Sequence, residues 1–230
     1  MVNKKSTSKK ESKTRPSKGP VIFDENIEKI ETIKEEESLK IETSSEVATS
    51  TYMIKLVLIG DAQVGKTSIR KMYLGEGFPK EHLATLGADF AVTTKVVKNH
   101  TIKYQIWDLA GQPMFKNVRP RFFKGCFGAL LVFDITREDT FKNLSSWLDE
   151  LYRDSGRGVV PAIILANKTD LVDDQIISIE EVKKFVENLN KKTKTHSVEN
   201  FFLETSAKTG LNIEKAFEII GHYIINSFGK

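Results

Sequence analysis

An α/β domain built on a six-stranded, mostly parallel sheet with helices on both faces is the fold class this sequence predicts, and three observations carry the prediction. From Tyr52 onward, apolar runs of strand length alternate with stretches of helical spacing, the pattern of strands joined by crossover helices. Most runs are apolar throughout rather than alternating, as strands buried on both faces are. One pair of runs lies too close together for a crossover, so a single antiparallel hairpin is expected among the parallel strands.

Taken in order, Ile54–Ile59 is the first strand, ended by Gly60, and a helix-compatible stretch follows from Lys66. Phe90–Val97 and Ile102–Trp107 form the hairpin, joined by the turn-prone Asn99-His100. Ala129–Phe133 and Ala162–Leu165 are buried strands, and Phe201–Leu203 is a shorter one. Helical spacing joins Phe141, Leu144, Leu148 and Leu151, then Val182, Phe185 and Leu189, then Ile213, Phe217 and Ile220. In sheets of this kind a ligand sits beyond the carboxyl ends of the strands.

Residues 1–50 differ from this domain, which is expected over residues 51–230. The first twenty hold seven basic residues between Lys4 and Lys18 against Glu11 alone, and the next thirty are acidic, with Glu35-Glu36-Glu37. So little apolar area cannot offset chain entropy, which predicts a disordered, charged extension. Ile27, Ile30 and Ile33 qualify this, since they could line a short helix that orders on a partner. Cys126 is the only cysteine among 230 residues, which excludes an intrachain disulfide. No run approaches the roughly 20 apolar residues of a membrane span, and residues 1–20 lack the apolar core of a signal peptide. Val2 and the cysteine-free stretch Asn226–Lys230 offer no myristoylation or prenylation site. A cytoplasmic protein is expected, with at most weak electrostatic membrane contact through the basic start. The net charge of +4 does not point to nucleic acid, and no such partner is expected.

The strongest local motif is Gly60-Asp61-Ala62-Gln63-Val64-Gly65-Lys66-Thr67, followed by Ser68, which fits G-x-x-x-x-G-K-[ST] between a buried strand and a helix. Its glycines let the backbone curl until successive N–H groups point at phosphate oxygens, and the helix N-terminus adds positive potential. Lys66 supplies a point charge for the β- and γ-phosphates, and Thr67 a hydroxyl for Mg²⁺. A ligand-free glycine turn is the bland alternative, made weak by the strand–helix context. Alone, the motif indicates a nucleoside triphosphate without choosing the base.

Asn167-Lys168-Thr169-Asp170, after the fifth strand, chooses it. A carboxylate accepts from guanine N1 and its exocyclic amine at once, a donor pair that adenine lacks. Asp170 fits that role, Asn167 would reach N7 and brace the loop, and the Lys168 stem would cover the ring. Glu204-Thr205-Ser206-Ala207-Lys208 forms a second loop after a strand and could present the Ala207 N–H to guanine O6. A third element is Trp107-Asp108-Leu109-Ala110-Gly111-Gln112. There Asp108 can hold Mg²⁺ through water, Gly111 can bring an N–H to the γ-phosphate, and Gln112 can orient the attacking water.

The set GDAQVGKT, WDLAGQ, NKTD and ETSAK, in this order, resembles the Ras superfamily and its P-loop small G-protein fold. Thr85-Leu-Gly-Ala-Asp-Phe90, Phe122-Phe-Lys-Gly125 with Leu130–Asp134, and Phe141–Trp147 resemble the Rab branch in particular. The likeness runs from about Tyr52 to Phe228. It implies that Thr85 is the switch I threonine that ligates Mg²⁺ in the GTP state and that Phe78 lies against guanine. It also implies that Phe90, Trp107 and Phe122 form an aromatic triad shown to effectors; without it, all three aromatics read as core. Exchange factors, GTPase-activating proteins and effectors are the implied partners, meeting the switch regions. Gln63 stands where many Ras proteins have glycine. Leu109 and Pro113 depart from the usual Rab spelling, Pro113 stiffening the start of switch II by removing an N–H. The absence of C-terminal cysteines departs from Rab membrane attachment.

The expected activity is hydrolysis of GTP to GDP and phosphate, with Mg²⁺ and GTP/GDP bound and with Lys66, Thr85 and Gln112 as catalytic residues. Neither Arg119 nor Arg121 has a role as an arginine finger, so unassisted turnover should be slow, on the order of 10⁻⁴ s⁻¹ as in Ras alone. Two rivals stand beside this. A non-cycling pseudo-GTPase would bind nucleotide without hydrolysis, and a nucleoside-triphosphate kinase would need an arginine-bearing lid that the sequence does not contain.

Overall fold

The structure is a computed structural model that describes residues 50–79, 84–97 and 99–228. Residues 1–49, with the disordered extension and the Ile27–Ile33 helix expected there, lie outside the described residues. Six strands, β1 (Ser50–Ile59), β2 (Ala88–Val97), β3 (His100–Leu109), β4 (Gly128–Asp134), β5 (Ala162–Asn167) and β6 (Phe201–Glu204), form one sheet. Their spatial order is β2-β3-β1-β4-β5-β6. All neighbours pair in parallel except β2 and β3, which run antiparallel from Ala88 opposite Leu109 to Val97 opposite His100. That register leaves the tightest of connections, with Asn99 in the left-handed region at φ 60° that such turns require.

The helices are α1 (Lys66–Tyr73), α2 (Arg119–Phe123), α3 (Glu138–Lys142), α4 (Leu144–Asp154), α5 (Ile179–Thr193) and α6 (Ile213–Phe228). Side chains alternate across each strand, so the sheet feeds two cores. Ile54, Leu56 and Leu58 join Tyr104, Ile106, Leu130 and Val132 beneath α1 and α6, where Tyr73 stacks on Phe217 at 3.6 Å. Val57 and Ile59 point the other way, joining Leu131, Phe133 and Ile164 beneath Leu144, Leu148 and Leu151 of α4 and Val182, Val186 and Leu189 of α5. The two-sided covering is why the central strands carry the unbroken apolar runs Leu56–Ile59, Ala129–Phe133 and Ala162–Ala166.

Two boundaries differ from expectation. β1 begins at Ser50, four residues before its apolar run, because Ser50–Met53 pair with His100–Lys103 while facing outward on alternate residues. The helical set Phe141–Leu151 is divided at Asn143 into α3 and α4. The interruption is slight: Asn143 N donates to Asp139 O and Trp147 N to Asn143 O, so the helical hydrogen-bond direction carries through. A capping box, in which Ser178 and Glu181 exchange hydrogen bonds, starts α5 and fixes where the chain turns back beneath the sheet.

Candidate functional site

The carboxyl ends of β1, β3, β4 and β5 deliver Gly60, Leu109, Asp134 and Asn167 to one edge of the sheet. A cleft of about 1220 Å³ opens there. It is lined by Ala62, Gln63, Gly65, Lys66, Thr67 and Ser68 from the first motif and by Phe78 and Thr85 from the segment before β2. Gly111 and Gln112 follow β3, and Asn167, Lys168, Asp170, Ala207 and Lys208 come from the last two loops. Gly60, Asp61, Val64, Asp108 and Ser206 stand behind this lining rather than in it. Leu109, Ala110, Leu86 and Leu171 also line the cleft, and no sequence motif had singled out a role for them.

The first loop is held by close approach. Gly65 sits at φ 103°, and a Cβ there would fall on Nδ2 of Asn167. A Cβ on Gly111 would strike the backbone of Asp61 and Ala62, so what obstructs a side chain at this glycine is the phosphate loop itself. Gln63 adopts φ 66° with a full side chain, a conformation that costs a non-glycine residue roughly 1 kcal/mol and explains why glycine suits the position. Arg137 Nη1 donates to Ala62 O at 3.1 Å. The Asp61 carboxylate turns away from the cleft and accepts from Asn143 Nδ2 at 2.7 Å and Trp147 Nε1 at 2.8 Å. The loop is thus fastened to the helices behind it, through Asn143 and Trp147 of the Rab-like stretch Phe141–Trp147, to which no contact with the loop had been assigned.

Lys66 Nζ donates to Gly60 O at 2.8 Å and Asp61 O at 2.6 Å. Burial lowers its pKa to about 8, against the raising influence of Asp108 and Asp61. Thr67 Oγ1 donates to Asp108 Oδ2 at 2.5 Å and lies 2.9 Å from Thr85 Oγ1. Thr85 Oγ1 is 3.4 Å from the same carboxylate oxygen. Burial holds the Asp108 carboxyl above its usual pKa, opposed by the Thr67 hydrogen bond and by Lys66, and its Oδ1 is buried without a partner among the described residues. An all-oxygen set of two hydroxyls and one under-compensated carboxylate fits a small hard cation that keeps most of its water. Thr67, Thr85 and Asp108 offer oxygen alone, without the nitrogen or sulfur ligands that zinc sites favour, so the fit is to magnesium rather than to zinc.

At the other end of the cleft, Asn167 is buried and works as a tie bar. Its Nδ2 donates to Val64 O at 2.7 Å, and its Oδ1 accepts from Ala207 N at 3.1 Å, so one amide fixes the first loop to the last. Asp170 Oδ1 accepts from Ser206 Oγ at 2.6 Å, and Lys208 Nζ lies 3.7 Å from its other oxygen. Lys168, at φ 72°, places Nζ 2.5 Å from the buried Asp134 Oδ2, an ion pair rather than a well-angled hydrogen bond. Asp134 closes the Rab-like stretch Leu130–Asp134 but had no role assigned to it, although a lone carboxylate ending an otherwise apolar strand is a signal that could have found one. Phe78 is 39% exposed at the cleft mouth.

Gln112 has extended backbone (φ −66°, ψ 140°) and leads into a single 3₁₀ turn, Pro113–Phe115. Arg119 of α2 faces away from the cleft: its Nη1 pairs with Glu150 Oε2 at 2.9 Å and its guanidinium lies 4.1 Å from the Trp147 ring centre. Phe90, Trp107 and Phe122 form a contiguous row, with ring centres 4.6 and 5.6 Å apart. Phe90 is 44% exposed, while Trp107 and Phe122 are half-buried against the second core, so the row runs from the edge of the core to the surface.

The Ras family model matches residues 55–226. The chain is 39% identical to Ras-related protein RABA4a of Arabidopsis thaliana over 179 residues, which is 78% of this chain and 75% of that one. It is 34% identical to GTP-binding protein ypt1 of Schizosaccharomyces pombe over 178 residues (77% and 83% of the two chains). It is 37% identical to Ras-related protein Rab11A of Lotus japonicus over 179 residues (78% and 75%). Nothing favours the non-cycling or kinase readings. The chain therefore belongs to the Ras family, as a Rab-like small GTPase: a GTP hydrolase that works as a molecular switch.

Proposed function

We propose that the cleft is the guanine-nucleotide site and that its residues divide the work by position. The phosphate loop from Gly60 to Ser68 gives backbone N–H groups to the phosphates, and Lys66 adds a charge that the phosphates themselves keep protonated. Thr67, Thr85 and Asp108 are the groups that would hold magnesium, which when bound neutralises charge on the phosphate oxygens. Asp170 accepts from guanine N1 and the exocyclic amine while Ser206 steadies it. Ala207 donates to O6, Lys168 and Phe78 cover the ring, and Lys208 borders it. Gln112 orients water in line with the γ-phosphoryl group, which passes to that water and leaves GDP and phosphate. Catalysis is by positioning and charge, with no covalent step through the protein. One observation carries this reading: phosphate-type and guanine-type groups from five separate segments line a single cleft.

Exchange factors, activating proteins and effectors would meet the switch segments and the Phe90–Trp107–Phe122 row. The protein would work in the cytoplasm. Its basic start would contribute about 1 kcal/mol per residue at most against an anionic surface, a contact that physiological salt screens.

Base choice is the test. Asp170→Asn turns an acceptor into a donor facing guanine N1–H and N2–H, a buried mismatch that should lower GTP affinity at least a hundredfold and raise affinity for xanthosine triphosphate. Displacement of a fluorescent nucleotide measures both. Unchanged GTP affinity would put the base elsewhere.

A further inference from the structure

The part of the sheet nearest the β2 edge is packed on one face only. Helices α1 and α6 cover that face. On the other, α2 reaches only the Trp107 end, through Phe122, while α4 and α5 pack with residues of β4, β5 and β6. What remains is a mixed sheet surface in which Met53 (56% exposed), Val92 (44%) and Val96 (70%) stand among Thr94, Thr101, Lys103 and Gln105. Register places Lys103 between Met53 and Thr94, and Gln105 between Lys55 and Val92. Lys55 crosses the Trp107 ring at 5.2 Å to donate to Lys124 O, and Lys103 and Lys124 are exposed. No carboxylate stands on this face of the three strands. Exposed apolar side chains interspersed with lysines and matched by no carboxylate call for a partner that brings both apolar groups and acidic charge.

The chain supplies one. Residues 21–41 carry Phe23, Ile27 and Ile30 at the i, i+4, i+7 spacing of a helical stripe, with Ile33 continuing it. The same segment holds Asp24, Glu25, Glu28, Glu31 and Glu35–Glu37 against three lysines, a net charge of −4. Eight residues separate it from Ser50, which opens β1 beside His100 at the near end of this surface. The sixteen residues between Ile33 and Ser50 can span roughly 55 Å when extended, so reach imposes no limit.

We infer that the acidic, isoleucine-bearing segment 21–41 docks in cis on the uncovered β1–β3–β2 face, setting its apolar stripe on Met53, Val92 and Val96 and its carboxylates near Lys55, Lys103 and Lys124. Phe90 and Trp107 lie on the same face, so the docked segment also screens the row read above as partner-binding. That consequence rests on the proposed function, whereas the docking does not.

Two readouts on the full-length chain test it. The first is trypsin cleavage after Lys29, Lys34 and Lys40, normalised to cleavage at Lys4–Lys18 in the same molecule. Val92→Glu/Val96→Glu, at exposed positions outside the nucleotide site, should raise the normalised rate about tenfold or more while leaving the thermal transition and nucleotide affinity unchanged. The second is peroxide oxidation of Met53, referred to Met114, which is 79% exposed. Ile27→Ser/Ile30→Ser/Ile33→Ser should speed Met53 oxidation several-fold, and salt should do so partially as charges are screened. Equal rates in the parent chain and both variants overturn the inference. Protection that fades on dilution also overturns it, by assigning the segment to a second copy. Nucleotide binding that is normal while docking fails, or the reverse, separates this inference from the proposed function.

Discussion

Asp61 belongs to the phosphate loop in sequence and to the helix behind it in bonding. Its carboxylate accepts from Asn143 and Trp147, partners more than eighty residues away, which is why motif reading could assign it only a backbone role. Lys66, Thr67 and Asn167 were legible because their chemistry is written in contiguous motifs; the Asp61–Trp147 and Lys168–Asp134 pairs exist only once the strands are aligned. The tie has a measurable consequence. Trp147→Phe keeps an aromatic ring under Arg119 but removes one donor to the carboxylate, a hydrogen bond to a charged group worth about 1.5–3 kcal/mol. Part of that loss should appear as looser phosphate-loop geometry, with nucleotide released several-fold to tenfold faster in a stopped-flow chase. An unchanged release rate, with Asn143 still in place, would mean that Asn143 alone holds the loop.

The elements were readable wherever burial was two-sided. β4 and β5 are buried at every position, and their apolar runs announce them. β1 is different, since its first four residues are half-exposed and hold their place by pairing with β3 rather than by burial; no apolar run betrays such a stretch. The link between α2 and β4 carries Cys126, fully buried with a thiol pushed up to about 11 by burial, against the lowering influence of Lys55 and Arg157. The folded protein at pH 8 should therefore resist thiol reagents, and denaturant should expose one reactive thiol per chain. Burial also raises the phenols of Tyr73, Tyr104 and Tyr152. Each of these acids holds its proton more tightly when folded than when unfolded. Their contribution to stability is thus complete below their unfolded pKa values and is lost as pH rises through the folded ones. Denaturation midpoints should fall as pH climbs above about 9, and a flat profile from pH 8 to 11 would contradict the burial of these groups.

At the scale of the molecule, a parallel sheet gathers the carboxyl ends of its strands into one edge, and every motif proposed to meet nucleotide lies at that edge because each follows a strand. This is why the fold class and most of the site could be read from alternating patterns and four short motifs. What the patterns did not carry was the wiring behind the lining, from Asp61 through Trp147 to Arg119 and Glu150, and the bare face of the β2 edge, which depends on where helices fail to reach. Under the proposed function, the switch depends on Gln112 acting on water rather than on nucleotide. Single-turnover hydrolysis by the full-length chain loaded with GTP and Mg²⁺ is the direct measurement. Wild type should release phosphate slowly, on the order of 10⁻⁴ s⁻¹ without an activating protein, and Gln112→Leu should be at least tenfold slower with GTP affinity unchanged. Equal rates for the two proteins, or no phosphate released by wild type, would contradict the assignment of Gln112 and the hydrolytic switch built on it.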